Sequence, residues 1–240
     1  MYLLSQEIIF AQWPLLAGVA GAMIHVFTGP DHLAAVMPFA VEHKKASWKV
    51  GISWGLGHLS GMLLIGILIM LFKEIIPFEL ISSYSETSVG FILMAIGVWA
   101  VLRIRRSQKN IHQHPHYHHD TNEFHVHPHR HQEGLNHLHS HQQPIRKGII
   151  SSYSVGVVHG FAGIAHFILF LPMLSFTTKL QSLEYIIGFA VGTIFSMTFF
   201  AIFVGVVSKK SSNRRGAFSF LYLQYFAAFF AFAIGVYWLL

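Results

Sequence analysis

The chain has 240 residues, 53% of them apolar and only 11% charged, with 22 Phe and a formal net charge of +6. Several of its apolar runs are long enough to cross a hydrocarbon core of about 30 Å, which argues against a water-soluble globule. It has no cysteine, so it forms no disulfide and offers no thiolate; a metal site here must use imidazole, carboxylate and backbone oxygen, with the eight Met as a thioether route.

The opening segment MYLLSQEIIF lacks a basic n-region and a small-residue cleavage site and reads as part of the mature protein. Polar turns then divide the chain into six candidate transmembrane helices, at about 14–40, 51–72, 88–105, 148–174, 185–207 and 219–240. An all-α polytopic membrane fold follows, in contact with membrane lipid. It is organised as residues 1–105, a His-rich insert at 106–147, and residues 148–240.

The first span contains HVFTGPDHLAAVMP from His25, and the fourth contains HGFAGIAHFILFLP from His159. His25/His159, Phe27/Phe161, Gly29/Gly163, His32/His166 and Pro38/Pro172 match without a gap. Gly57 and Met62 match Gly192 and Met197, and Ala95-Ile96-Gly97-Val98 matches Ala233-Ile234-Gly235-Val236, so three spans recur in order. Because three is odd, the second set must enter the membrane from the opposite side. This is an inverted repeat, which many secondary transporters use to place a site at the midplane.

In an unbroken helix His25 and His32 would share a face but stand ~10 Å apart along the axis, too far to share an ion. The intervening Gly29-Pro30 cannot stay regular, since proline donates no backbone hydrogen bond and disfavours α geometry before it. Unwinding there brings the imidazoles together and opens a half-helix at Asp31, the one carboxylate expected at membrane depth. The second motif is expected to break likewise at Gly163, although Ile164 and Ala165 replace Pro30 and Asp31. Metal ligands are therefore expected at His25, Asp31 and His32, with His58 from the Gly55-Leu56-Gly57-His58 face of span two and His159 and His166 from the second half. The alternative is that these histidines only pack helices and Gly29-Pro30 is an ordinary kink. Imidazole with one carboxylate suits Ni²⁺ or Co²⁺, with Zn²⁺ a further candidate, better than Mg²⁺ or Ca²⁺.

His43, beside Lys44 and Lys45, reads as a surface residue in a short loop. The insert holds 12 of the 18 histidines: His112, His114, His116, His118, His119, His125, His127, His129, His131, His137, His139 and His141. It is expected to be disordered without metal and to buffer ions at weak, exchangeable sites, with a pH-sensitive tract and neutral drift as alternatives. Loops after spans one, three and five carry 14 Lys and Arg against two on the other face, which puts the insert in the cytoplasm and both termini outside. The basic residues thus follow the membrane, and no nucleic-acid partner is expected.

HVFTGPDHLAA, with WGLGH downstream and a His-rich segment between halves, resembles the nickel/cobalt transporter superfamily, nearest its UreH-like membrane proteins. That resemblance implies a secondary transporter of the inner or plasma membrane, not an enzyme, with His25, Asp31 and His32 selecting the ion. Its signature has four residues between His and Asp-His where this chain has five, and such permeases usually have eight spans. The link to urease maturation implies a cytoplasmic metallochaperone as partner, and Gly-rich faces allow a homodimer. No GxxxxGK[ST] occurs, so transport would draw on a gradient, the membrane potential or a partner. The rival functions are a membrane metalloenzyme, though HExxH is absent, and a non-metal exporter of the same superfamily, though no Lys or Arg falls at membrane depth.

Overall fold

The computed structural model describes residues 13–72, 78–109, 111–118, 123–130, 145–162, 176–213 and 217–240. Two helices, α1 (Pro14–Thr28) and α2 (Pro30–Glu42), are followed by α3 (Ser47–Phe72) and α4 (Phe78–Lys109). After the insert come α5 (Ile145–Ala162), α6 (Lys179–Asn213) and α7 (Ala217–Tyr237). Among the described residues four stretches are long and apolar enough to cross a membrane, Ser47–Leu68, Thr87–Gln108, Lys179–Ser212 and Ser219–Tyr237, with α1 a shorter apolar helix. The protein is an all-α integral membrane protein in its body.

The first expected span is divided between α1 and α2, with Gly29 between them at φ −85° and ψ 99°. Both helices start on a proline, a position where the missing N–H costs no intrahelical bond. The fourth expected span is described as far as Ala162; Gly163 and His166 lie outside the described residues.

In the insert, β1 (Ile111–His118) and β2 (Glu123–Arg130) pair antiparallel, with His112 opposite His129, His114 opposite His127 and His116 opposite His125. This differs from the irregular chain expected there. Alternation of histidine with other residues has a period of two, which is also the period of a strand. His119, His131, His137, His139 and His141 lie outside the described residues.

Helix α2 is the axis of the bundle. Asp31, His32, Ala34, Ala35, Val36, Phe39, Ala40 and Val41 are all buried on it, packed among Val50 and Trp54 of α3, Val89, Leu93 and Ile96 of α4, Met197 and Ala201 of α6, and Ala227 and Ala231 of α7. Around this axis the helices pair across the insert: α1 lies on α6, α3 on α5, and α4 on α7. Each pairing runs on small residues. A Cβ on Gly57 or Gly61 of α3 would overlap the α5 backbone at Tyr153 and Val157, and one on Gly156 or Gly160 of α5 would overlap α3 at Trp54 and His58. Gly18 and Gly188 do the same for α1 on α6, and Gly90 meets Gly235 between α4 and α7. Between helices in lipid, where apolar side chains gain nothing over lipid tails, such close backbone contact is the main source of attraction.

Hydroxyl side chains add bonds between helices: Ser53 Oγ donates to the Ile149 carbonyl at 2.7 Å, Ser152 Oγ to Val50 at 2.9 Å and Ser208 Oγ to Val41 at 2.8 Å. The outer surface is apolar, with Leu63, Ile67, Phe91, Phe195, Phe203 and Phe229 exposed, as a bilayer-facing wall requires. Gly160→Val should therefore force α3 and α5 apart and cost about 1–3 kcal/mol, read as a lowered unfolding midpoint in detergent. Leu56→Ala, at a half-exposed position, should change stability by less than about 0.5 kcal/mol.

Candidate metal centre

The break at Gly29 lets the chain bring His25 to Asp31 and His32, from which a regular helix would separate it. His25 comes from the last turn of α1, while Asp31 and His32 open the first turn of α2. The His25 and His32 ring centroids are 4.4 Å apart, edge to face. A Cβ at position 29 would stand 2.6 Å from His32 Nδ1 and 2.8 Å from Asp31 Oδ1, so the glycine vacates the space in which this pair sits.

Helix α3 contributes His58, whose ring lies 5.1 Å from that of His32 and 6.4 Å from that of His25. Helix α5 contributes His159, 5.0 Å from His32 and 5.6 Å from His58. The α3·α5 glycine contact is what allows this, because Gly160 packs directly on the His58 backbone. His32, His58 and His159 are fully buried and Asp31 is 2% exposed. His25 alone is partly exposed and forms the accessible edge of the cluster.

Asp31 lies between two imidazoles: His32 Nδ1 is 3.0 Å from Oδ1, and His159 Nε2 is 3.1 Å from Oδ2. An ionised carboxylate only accepts, so both rings must donate there. That fixes the tautomers: His32 keeps its Nε2 lone pair for a ligand, and His159 keeps its Nδ1 lone pair. A carboxylate that orients a histidine in this way is the usual outer partner of a metal-binding imidazole. Two three-donor groups result, one of His25, His32 and His58, the other of Asp31, His32 and His159; within each, the ligand atoms lie within 4.8 Å of one another. Nitrogens bound to one ion at about 2.1 Å stand roughly 3.4 Å apart in tetrahedral geometry.

Trp54, which the sequence reading passed over, forms the floor of the cluster. Its indole is fully buried and stacked on His58 at 5.0 Å and 13°, 5.3 Å from His159 and 5.7 Å from His32. The signal was present in WGLGH, where Trp54 precedes His58 by one helical turn. Phe189 of α6 stacks on His25 at 6.1 Å in a similar way. Thr193, the counterpart of His58, is buried and donates to the Phe189 carbonyl at 2.9 Å, away from the cluster. His43 is a correction to the surface placement: it is 9% exposed, with its ring against Gly148 of α5. It lies at the far end of α2 from the cluster.

Fold and site together define an α-helical integral membrane protein with a buried histidine–aspartate cluster. The chain is 30% identical over 190 residues to the urease accessory protein UreH of Bacillus sp. (strain TB-90), covering 77% of this chain and 73% of that protein. It belongs to the family of UreH. It is also 26% identical over 215 residues, 88% of its length, to Chloroplast protein FOR GROWTH AND FERTILITY 2 of Arabidopsis thaliana, and 29% identical over 203 residues, 82% of its length, to FOR GROWTH AND FERTILITY 1 of the same plant. The chain spans 51% of each of these two plant relatives. No family model and no solved structure matches it.

Gly29→Ala should weaken binding of Co²⁺ or Ni²⁺ to the purified protein by at least about tenfold in calorimetric titration, since it displaces the orienting Asp31–His32 pair. The same ions should quench tryptophan fluorescence in the wild-type protein, with most of the quenching lost in Trp54→Phe.

Proposed function

We propose that the protein is a secondary transporter of divalent transition-metal ions, Ni²⁺ or Co²⁺ before Zn²⁺, rather than an enzyme. The observation that carries this reading is the pair of overlapping three-donor groups, drawn from four helices and buried inside an apolar bundle. Polar clusters at such a depth are costly and mark ion pathways. The urease role stated in the name of the bacillus relative fits nickel, and it favours import with hand-over to a cytoplasmic metallochaperone.

The six-span inverted repeat is part of the same proposal, and the packing supports it by reciprocity. Under the offset that matches the third spans, Gly90 becomes Ala228 and Gly97 becomes Gly235. Gly90 meets Gly235 while Gly97 meets Ala228, the same contact twice. Likewise Gly57 against Tyr153 corresponds to Gly192 against Val19, and Trp54 beside His159 corresponds to Phe189 beside His25. The cluster would then lie near the pseudo-twofold axis, at the membrane midplane, with both termini outside and the basic loops and insert in the cytoplasm.

The two donor groups suggest how an ion passes. His25, the accessible member, and His58 receive it with His32 Nε2, while Asp31 holds the His32 proton on Nδ1. Transfer to Asp31, His32 Nδ1 and His159 Nε2 requires each N–H proton to move to the other nitrogen of its ring, His32 Nε2 and His159 Nδ1, so both rings change tautomer as the ion moves and proton and metal compete for the same lone pairs. The insert histidines, His112 to His141, serve as the cytoplasmic ion buffer. Cells expressing His25→Ala or Asp31→Asn should lose at least about nine-tenths of the protein-dependent change in cell-associated nickel or cobalt, at unchanged protein level. Wild-type flux in both variants would overturn the proposal. A metal that stays bound through dialysis at fixed stoichiometry would point instead to the metalloenzyme reading.

A further inference from the structure

Helix α2 ends, at the opposite end from the histidine cluster, on a half-open cavity of about 460 Å³. Its walls come from the α2–α3 turn, the last turns of α4, the start of α5 and the start of α7. The membrane stretch Thr87–Gln108 ends here and Ser219–Tyr237 begins here, so the cavity lies at the border of the apolar layer.

Its charge is unbalanced. Lys44, Lys45 and Arg103 line it against one carboxylate, Glu42, which Arg103 pairs with. The cations are also held in place. Arg103 lies over the Trp99 ring at 5.0 Å, and Lys44 lies over Phe220 at 4.4 Å while donating to Ser212 Oγ. Burial, and then the neighbouring Lys45, lower the pKa of Lys44 from its ordinary value. Burial, and then the Arg103 charge, lower that of His43, which keeps its imidazole neutral near pH 7. A divalent cation is thus the wrong ligand for this cavity, which sets it apart from the metal path. An anion relieves the crowding of like charges, and Trp99, Ile104 and Phe220 offer that anion an apolar wall.

We propose that this cavity binds the phosphate headgroup of an anionic phospholipid, with Lys44 and Lys45 on the phosphate and Trp99 and Phe220 against the glycerol and upper acyl chains. Basic pockets between transmembrane helices are suited to such headgroups. Inorganic phosphate shares the charge chemistry, but it leaves the aromatic wall uncovered.

The test is the unfolding midpoint of the full-length protein in nanodiscs of phosphatidylcholine with and without phosphatidylglycerol. Phosphatidylglycerol should raise the wild-type midpoint by about 3 °C. Lys44→Gln/Lys45→Gln should lose most of that shift, while Lys209→Gln/Lys210→Gln, with the same loss of charge elsewhere, should keep it. An undiminished shift in the first double variant overturns the proposal, as does an equal shift produced by inorganic phosphate in phosphatidylcholine alone. Should that variant not fold, native mass spectrometry of the wild type decides: phosphatidylglycerol retained after exchange into phosphatidylcholine detergent micelles supports the site, and none retained overturns it. Co²⁺ binding at the histidine cluster should be unchanged in Lys44→Gln/Lys45→Gln, so this result is independent of the transport proposal.

Discussion

A carboxylate placed among apolar helices must be compensated, and Asp31 is 2% exposed in the middle of this bundle. Its two oxygens are taken by His32 from its own helix and His159 from a helix 128 residues later in the chain. Much of the architecture follows from meeting that need. The break at Gly29 makes room for Asp31 beside His32, the glycine contact between α3 and α5 brings His159 and His58 within ring distance, and Trp54 closes the floor. Stability and site are tied together here, because the two rings that neutralise the carboxylate also belong to the histidine–aspartate cluster.

The four histidines are not equivalent: three are fully buried and His25 is partly exposed. Two are fixed in tautomer by Asp31, His58 is held face to face by an indole, and His25 sits at the partly exposed edge under Phe189. The two donor groups overlap in one member, His32. The basic cavity at the other end of α2 follows an opposite electrostatic logic, and the two sites occupy opposite ends of one thirteen-residue helix.

Much of this was legible in the chain before any coordinates. Gly29-Pro30 between two histidines signalled an interruption, because proline and glycine act on the backbone locally and regardless of tertiary context. The apolar stretches were legible for the same reason: a bilayer imposes length and composition directly. Trp54 was harder to read, since a tryptophan in an apolar helix is ordinary core until its neighbours on other helices are known. His43 was misplaced because two adjacent lysines suggest solvent, whereas Gly148, far along the chain, leaves a slot that the ring fills. The hairpin at 111–118 and 123–130 was missed because a low-complexity composition was weighed above its two-residue alternation.

The way the helices choose partners has a consequence for how the protein is made. The chief neighbour of α1 is α6, that of α3 is α5 and that of α4 is α7, so the part synthesised first finds its tightest contacts only in the part synthesised last. During insertion the early helices stand in lipid with their glycine faces bare and Asp31 lacking its second histidine. Closure of the bundle therefore waits on α5, α6 and α7 in turn, and a ribosome that stalls near the insert leaves behind early helices without these partners.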